Sequence, residues 1–151
     1  MGLFPLFSLP TFFKNIDKFV VNKKKQVAQG LAYYGEQFVN DAREGGSYQD
    51  QTSNLRGSIA YDVFVDGESF ADNYKSFGSD VGVDNARITI SEVADSEGYN
   101  DKDKITLVGV AGMEYAAAVE SKGYDVITPF IPKESDINEL LGEAGLLRRK
   151  L

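Results

Sequence analysis

The sequence predicts an α+β fold: a long N-terminal helix packed on a small, mainly antiparallel sheet, with a short helix and a C-terminal helix after it. Three observations predict it. Apolar residues recur at helical spacing between Val27 and Ala42. Two short runs, SIAYDVFV and ITLVGVA, are rich in β-branched and aromatic residues. The elements follow in the order helix, strands, helix, strand, helix, which suits an antiparallel sheet covered on one face by the long helix. The chain has 151 residues, 42% of them hydrophobic, enough for one domain with its own core.

Residues 1–10, MGLFPLFSLP, read as a flexible apolar arm, mobile or docked on a partner and broken by Pro5 and Pro10, ahead of a single domain over 11–151. The arm lacks the basic start and small-residue cleavage site of a signal peptide. Leu6 stands where a myristoylation signal wants Ser or Thr. The long helix is expected from Thr11, a good cap, to about Arg43. Val27, Leu31, Tyr34, Phe38 and Ala42 draw one stripe, and Phe12, Ile16, Phe19 and Val20 extend it. Lys23 to Lys25 interrupt the stripe, which places a bend or break near Asn22. Gly45-Gly46 ends the helix.

Thr52 then caps a short helical turn reaching Arg56. The run SIAYDVFV is a strand, closed by the turn signal Asp66-Gly67. Residues 68–86 are polar, with Phe70, Tyr74 and Phe77 scattered among them, and read as a long loop. RITISEV, Arg87 to Val93, reads as a strand with Ile88 and Ile90 on one face. The stretch 95–104, DSEGYNDKDK, is a charged connection, and ITLVGVA is the next strand. YAAAVE, from Tyr115, is a short helix ending at Gly123. Tyr124 to Thr128 gives a last strand, stopped by Pro129 and Pro132. The final helix runs from Ser135 to Lys150, with Asp136 and Glu139 early and Arg148 to Lys150 late, the order the helix dipole prefers. Gly142 and Gly145 weaken it, so it needs a surface to lean on.

Chemistry is sparse. The chain has no His and no Cys, so the commonest general base, the imidazole and thiolate metal ligands and the cysteine nucleophile are all missing. Ser121-Lys122 are chain neighbours, which do not face each other on a helix. Asp101 and Asp103 lie in a charged loop that departs from the calcium-loop template at Tyr99. GVAGMEY has no Lys-Ser/Thr and is not a phosphate loop. No catalytic residue, metal ligand or cofactor site is therefore expected, and the protein is read as not an enzyme. There are 16 basic and 23 acidic residues, a net charge of −7, which disfavours a broad nucleic-acid surface. No apolar run is long enough to span a membrane.

Three segments carry a resemblance. They are Thr52-Ser53-Asn54-Leu55-Arg56-Gly57-Ser58-Ile59, then Tyr115-Ala116-Ala117-Ala118-Val119-Glu120 with Gly123, then Thr128-Pro129-Phe130-Ile131-Pro132. In order and rough spacing, over about residues 27–150, they resemble the tail-completion or head–tail joining (neck) proteins of tailed phages, the lambda Z-like minor tail protein group. Ser53 stands where that family usually has Gly. The resemblance implies a structural virion protein of a phage or prophage, assembled in the bacterial host cytoplasm. It implies other tail or neck proteins as partners, the tail tube and connector among them, and a homo-oligomer in the form of a ring.

On this reading Thr52, Leu55, Arg56, Ile59, Tyr115, Val119, Glu120 and Gly123 form a structural junction. Leu55 and Ile59 would enter the core, and Arg56 would pair with Glu120. The interface residues are the apolar ones that a monomer leaves under-used. They are Leu3, Phe4, Phe7 and Phe12 in the arm, Phe70, Tyr74 and Phe77 in the 68–86 segment, and Leu140, Leu141, Leu146 and Leu147 in the last helix. The competing reading is a soluble ligand-binding or adaptor module that uses the 68–86 loop.

Overall fold

A computed structural model describes residues 2–9, 18–46, 53–99, 101–113, 116, 120 and 126–145. The order is β1 (Gly2–Leu9), α1 (Lys18–Gly45), α2 (Asn54–Gly57), β2 (Ile59–Val65), β3 (Glu68–Asn73), α3 (Val81–Glu97), β4 (Ile105–Ala111), a 3-10 turn (Thr128–Phe130) and α4 (Glu134–Glu143). The fold is α+β, and the four strands among the described residues are all antiparallel in the order β1-β4-β2-β3.

The two central strands are buried on both faces, and the period of two sorts their side chains. Ile59, Tyr61 and Val63 of β2 and Ile105, Leu107 and Ala111 of β4 join the α1 side. There they meet Val27, Leu31, Phe38, Val39 and Ala42. Ala60 of β2 and Val108 and Val110 of β4 point the other way, onto Ala86, Ile90 and Val93 of α3. The sheet is thus filled between two helices, which is why SIAYDVFV and ITLVGVA read as near-continuous apolar runs. Two glycines permit the closest contacts on the α1 side. A Cβ at Gly35 would stand 2.5 Å from the Tyr61 ring, and one at Gly109 2.8 Å from Phe38.

Several expectations are corrected. The 68–86 segment is not a long loop: Asp66 and Gly67 take φ of 52° and 90°, the geometry of a tight two-residue hairpin turn, and β3 returns along β2. Arg87 to Val93 is not a strand but the middle of α3. Gly82, Ala86, Thr89, Ile90, Val93 and Ala94 are buried at helical spacing, while Ile88 is 55% exposed and Ile90 only 2%. The sheet is therefore covered on both faces, not one. Val126 and Ile127 are not in a strand, and a 3-10 turn follows them. The helix α1 passes Asn22 and Lys23 to Lys25 without a break. The arm is, over Gly2–Leu9, an edge strand on β4, with a register shift between Pro5 and Phe7. Proline fits there because an edge strand has one side with no partner to bond. The final helix ends at Glu143, and Gly145 takes the left-handed conformation that closes helices.

The expected helix start at Thr11, the cap Thr52, the stretch Tyr124-Asp125 and the end of the last helix at Lys150 lie outside the described residues. Ser53 precedes α2 with φ of 60°. Ala116 and Glu120 are helical, in line with the short helix expected there.

The contact of α3 with α2 rests on Gly82, whose missing Cβ would collide with the Asn54 carbonyl oxygen and lie 2.8 Å from the Gly57–Ser58 backbone. Gly82→Ala is expected to lower the unfolding free energy by about 1–3 kcal/mol. Gly142, in α4 with nothing within 4 Å of its Cβ position, is the control. Gly142→Ala is expected to raise stability by about 0.5–1 kcal/mol. Urea titrations of the two variants read both signs.

Candidate functional site

Polar side chains of α1 hold the β2–β3 hairpin. Glu36 and Arg43 lie seven residues apart, two helical turns, and so share a face. The Tyr61 hydroxyl donates to Glu36 Oε1 at 2.9 Å, and Asn73 Nδ2 donates to Glu36 Oε2 at 2.8 Å. Burial first, then the Glu36 carboxylate, hold the Tyr61 phenol above its ordinary pKa. Arg43 is 4% exposed. Its Nε and Nη2 donate to the Ile59 carbonyl at 3.2 and 2.8 Å, and its Nη1 to Asn73 Oδ1 at 3.0 Å. One guanidinium therefore ties the start of β2 to the end of β3.

The quoted junction residues are architectural where the structure describes them. Leu55 and Ile59 are buried in the α1-side core, on either side of the change from α2 to β2. Ser58 is buried as well, and its hydroxyl donates to the Leu55 carbonyl at 2.7 Å. The Glu120 carboxylate accepts from the Ile127 and Thr128 backbone N–H groups at 2.7 and 2.9 Å and from the Thr128 hydroxyl at 2.8 Å. Burial pushes its pKa up, but these donors outweigh burial and leave it below the usual range. Glu120 staples its own segment to Ile127 and Thr128, just before Pro129, and the Arg56 guanidinium stands 5.8 Å from the Phe77 ring centroid. Thr52, Tyr115, Val119 and Gly123 lie outside the described residues.

The interface residues divide. Phe70 is 41% exposed on β3, and Val21 on α1 is 64% exposed. With Lys24, Lys25, Val65 and Asp66 they line a groove of about 230 Å³. Lys24 and Asp66 pair at 2.9 Å at its border. Leu140 and Leu141, by contrast, are core, not interface: they are buried, and Leu140 fills the space left by Gly30. Tyr74 is half-buried against the α3-side cluster rather than presented to a partner. Leu3, Phe4 and Phe7 belong to β1, and Phe12, Leu146 and Leu147 lie outside the described residues.

A titratable cluster on the α3 side had no sequence signal beyond a lone Asp inside a strand. Asp62 is 6% exposed. It accepts from the Ser69 hydroxyl at 2.7 Å and the Tyr74 hydroxyl at 3.3 Å, and the Arg87 guanidinium lies 4.2 Å from the Tyr74 ring centroid. Burial raises its carboxyl from 3.8 to about 6; the Ser69 bond lowers it, Asp72 raises it, and Tyr74 and Arg87 lower it. A perturbed carboxyl of this kind can mark a reactive site, but here it borders a packed helix–sheet face.

Among the described residues no group of three His, Cys, Asp or Glu side chains could hold a metal ion. Among them, too, no helix is long and apolar enough to cross a membrane. No family model, curated protein or solved structure matches the chain.

The Asp62 carboxyl sets a pH dependence. Its folded pKa lies above its ordinary value, so the folded state holds more protons between about pH 4 and pH 6. The stability this group contributes therefore falls as pH rises through that window. The loss is of the order of 2–3 kcal/mol, and it is complete above the folded value. Asp62→Asn keeps acceptor capacity and cannot ionise. The variant is expected to gain stability over the wild type at pH 7 and to lose that advantage by pH 4, as urea unfolding at several pH values would read.

Proposed function

We propose that the chain is a structural virion protein of a tailed phage or prophage, acting in tail completion or head–tail joining at the neck. It works through contacts with other tail or neck proteins and with copies of itself, without catalysis. The observation that carries this reading is that the segments bearing the resemblance build architecture. Leu55 and Ile59 set the turn from α2 into β2, and Glu120 ties the YAAAVE segment to the start of TPFIP. The groove between Val21 and Phe70 supports the reading, since an apolar, charge-bordered patch suits a protein contact. A ring would need a heterologous interface that closes on itself. The ligand-binding alternative loses its main support, because only residues 74–80 of the 68–86 segment lie outside regular elements.

Deletion of the gene from the phage or prophage that encodes it, followed by electron microscopy of the lysate, tests the reading. Filled heads beside unattached or misassembled tails are expected. Normal infectious particles would overturn it.

A further inference from the structure

The edge strand β3 is the least embedded part of the sheet. None of its residues, Glu68–Asn73, is buried. Elements with few buried apolar contacts open at the lowest free energy. Besides its ladder with β2, β3 is held by polar side chains on both faces. On the α1 side Glu36 and Arg43 hold Asn73. On the α3 side the holder is Asp62. It accepts from Ser69, near the start of β3, and from Tyr74, just past its end. One carboxyl thus ties down the whole length of the strand.

That carboxyl stands where a charge is costly. Asp62 is 6% exposed, and burial disfavours the ionised form. Asp72 lies directly opposite it on β3, and like charges so placed across a ladder repel. The other elements packed around it offer little relief. From α3 come Ala86, Ile90 and Val93, and from β4 come Val108 and Val110, all apolar. Phe64 and Tyr99 pack on the same cluster, and burial keeps the Tyr99 phenol above its ordinary pKa. Arg87 of α3 supplies a cation over the Tyr74 ring, but it is exposed and screened by solvent. The Tyr74 hydroxyl stays a donor, since burial first and then the Asp62 charge hold its proton. A proton on Asp62 removes both costs, the buried charge and the repulsion, and leaves an oxygen able to accept. Opening of β3 removes them too, by admitting water to Asp62 and carrying Asp72 away.

We propose that Asp62 is a proton-operated latch on the edge strand: protonated, it holds β3 and Tyr74 closed on the sheet, and ionised, it lets them open locally while the rest of the fold persists. The closed state raises the carboxyl from 3.8 to about 6. The latch is therefore tightest below the lower value and loosens as pH rises through the upper one. Phe70, one wall of the groove beside Val21, lies between Ser69 and Asp72, so the latch also sets how firmly that wall is held.

Native-state amide hydrogen exchange on the full chain, followed by NMR and corrected for intrinsic rates, tests the latch. It is recorded at several pH values, each at several urea concentrations below the unfolding transition. Urea separates a local opening, which exposes little surface, from global unfolding. Amides of β3 and Tyr74 are expected to exchange through a urea-insensitive opening. Its equilibrium constant is expected to rise about twentyfold between about pH 4.5 and pH 7. Amides of β4, buried throughout, are expected to exchange only through the urea-sensitive route. In Asp62→Asn the local opening loses its pH dependence. In Asp72→Asn, at an exposed position, the rise is smaller than in the wild type. Exchange of β3 as urea-sensitive as that of β4 overturns the proposal. So does a local opening whose pH dependence is the same in the wild type and Asp62→Asn. Should Asp62→Asn fail to fold, Asp72→Asn decides: a rise as large as the wild type's overturns the latch.

Discussion

The buried guanidinium of Arg43 is the point at which helix, junction and hairpin meet. It sits in the last turn of α1, where a positive charge complements the helix dipole. From there it reaches the Ile59 carbonyl at the first residue of β2 and Asn73 at the last residue of β3. A buried carbonyl without a donor is costly, and here a charged donor meets it. Glu36, two turns earlier, holds Tyr61 and Asn73 from the other side. The hairpin is therefore registered on α1 by polar bonds as well as by the packing of Phe38, Val39 and Ala42.

That hold lets the sheet be buried twice. With β2 and β4 fixed on α1, their other face is free to receive α3. The two sides are built differently. On the α1 side large side chains interlock, and glycines at 35 and 109 admit the Tyr61 and Phe38 rings. On the α3 side small residues bring backbones together: Gly82 lies on the Asn54 carbonyl and the Gly57–Ser58 backbone, and Gly112 on the Asn85–Ala86 backbone. On that same side the Asp62 carboxyl is buried beside Ser69 and Tyr74, and burial, outweighing their hydrogen bonds, holds its proton above the usual range.

The difference between the two sides also explains what was legible. The α1 stripe is made of Val27, Leu31, Phe38 and Ala42, large enough to draw the helical period, and the central strands announce themselves by β-branched residues. The helix α3 buries Gly82, Ala86, Thr89 and Ala94, which hydropathy scarcely registers. What remained visible was Ile88 and Ile90, two apart, a strand spacing in a helix. The strand β3 was lost for another reason. Its residues, ESFADN, are mostly exposed on an edge, and acidic side chains there discourage further pairing. The Asp-Gly turn was the one signal that could have found it. The junction residues Leu55 and Ile59 were legible as core, whereas the partner of Glu120 was not. Its bonds run to backbone N–H groups, which every sequence offers equally.

The functional account joins these parts. A small domain whose distinctive segments serve packing, and whose described surface carries an apolar groove beside Val21 and Phe70, suits a part that works by contact. Quantitative mass spectrometry of purified particles tests that claim most directly. The account predicts the chain in intact virions at a low, fixed copy number relative to the tail-tube subunit. Its absence from purified particles, with the chain abundant in the lysate, would contradict the account.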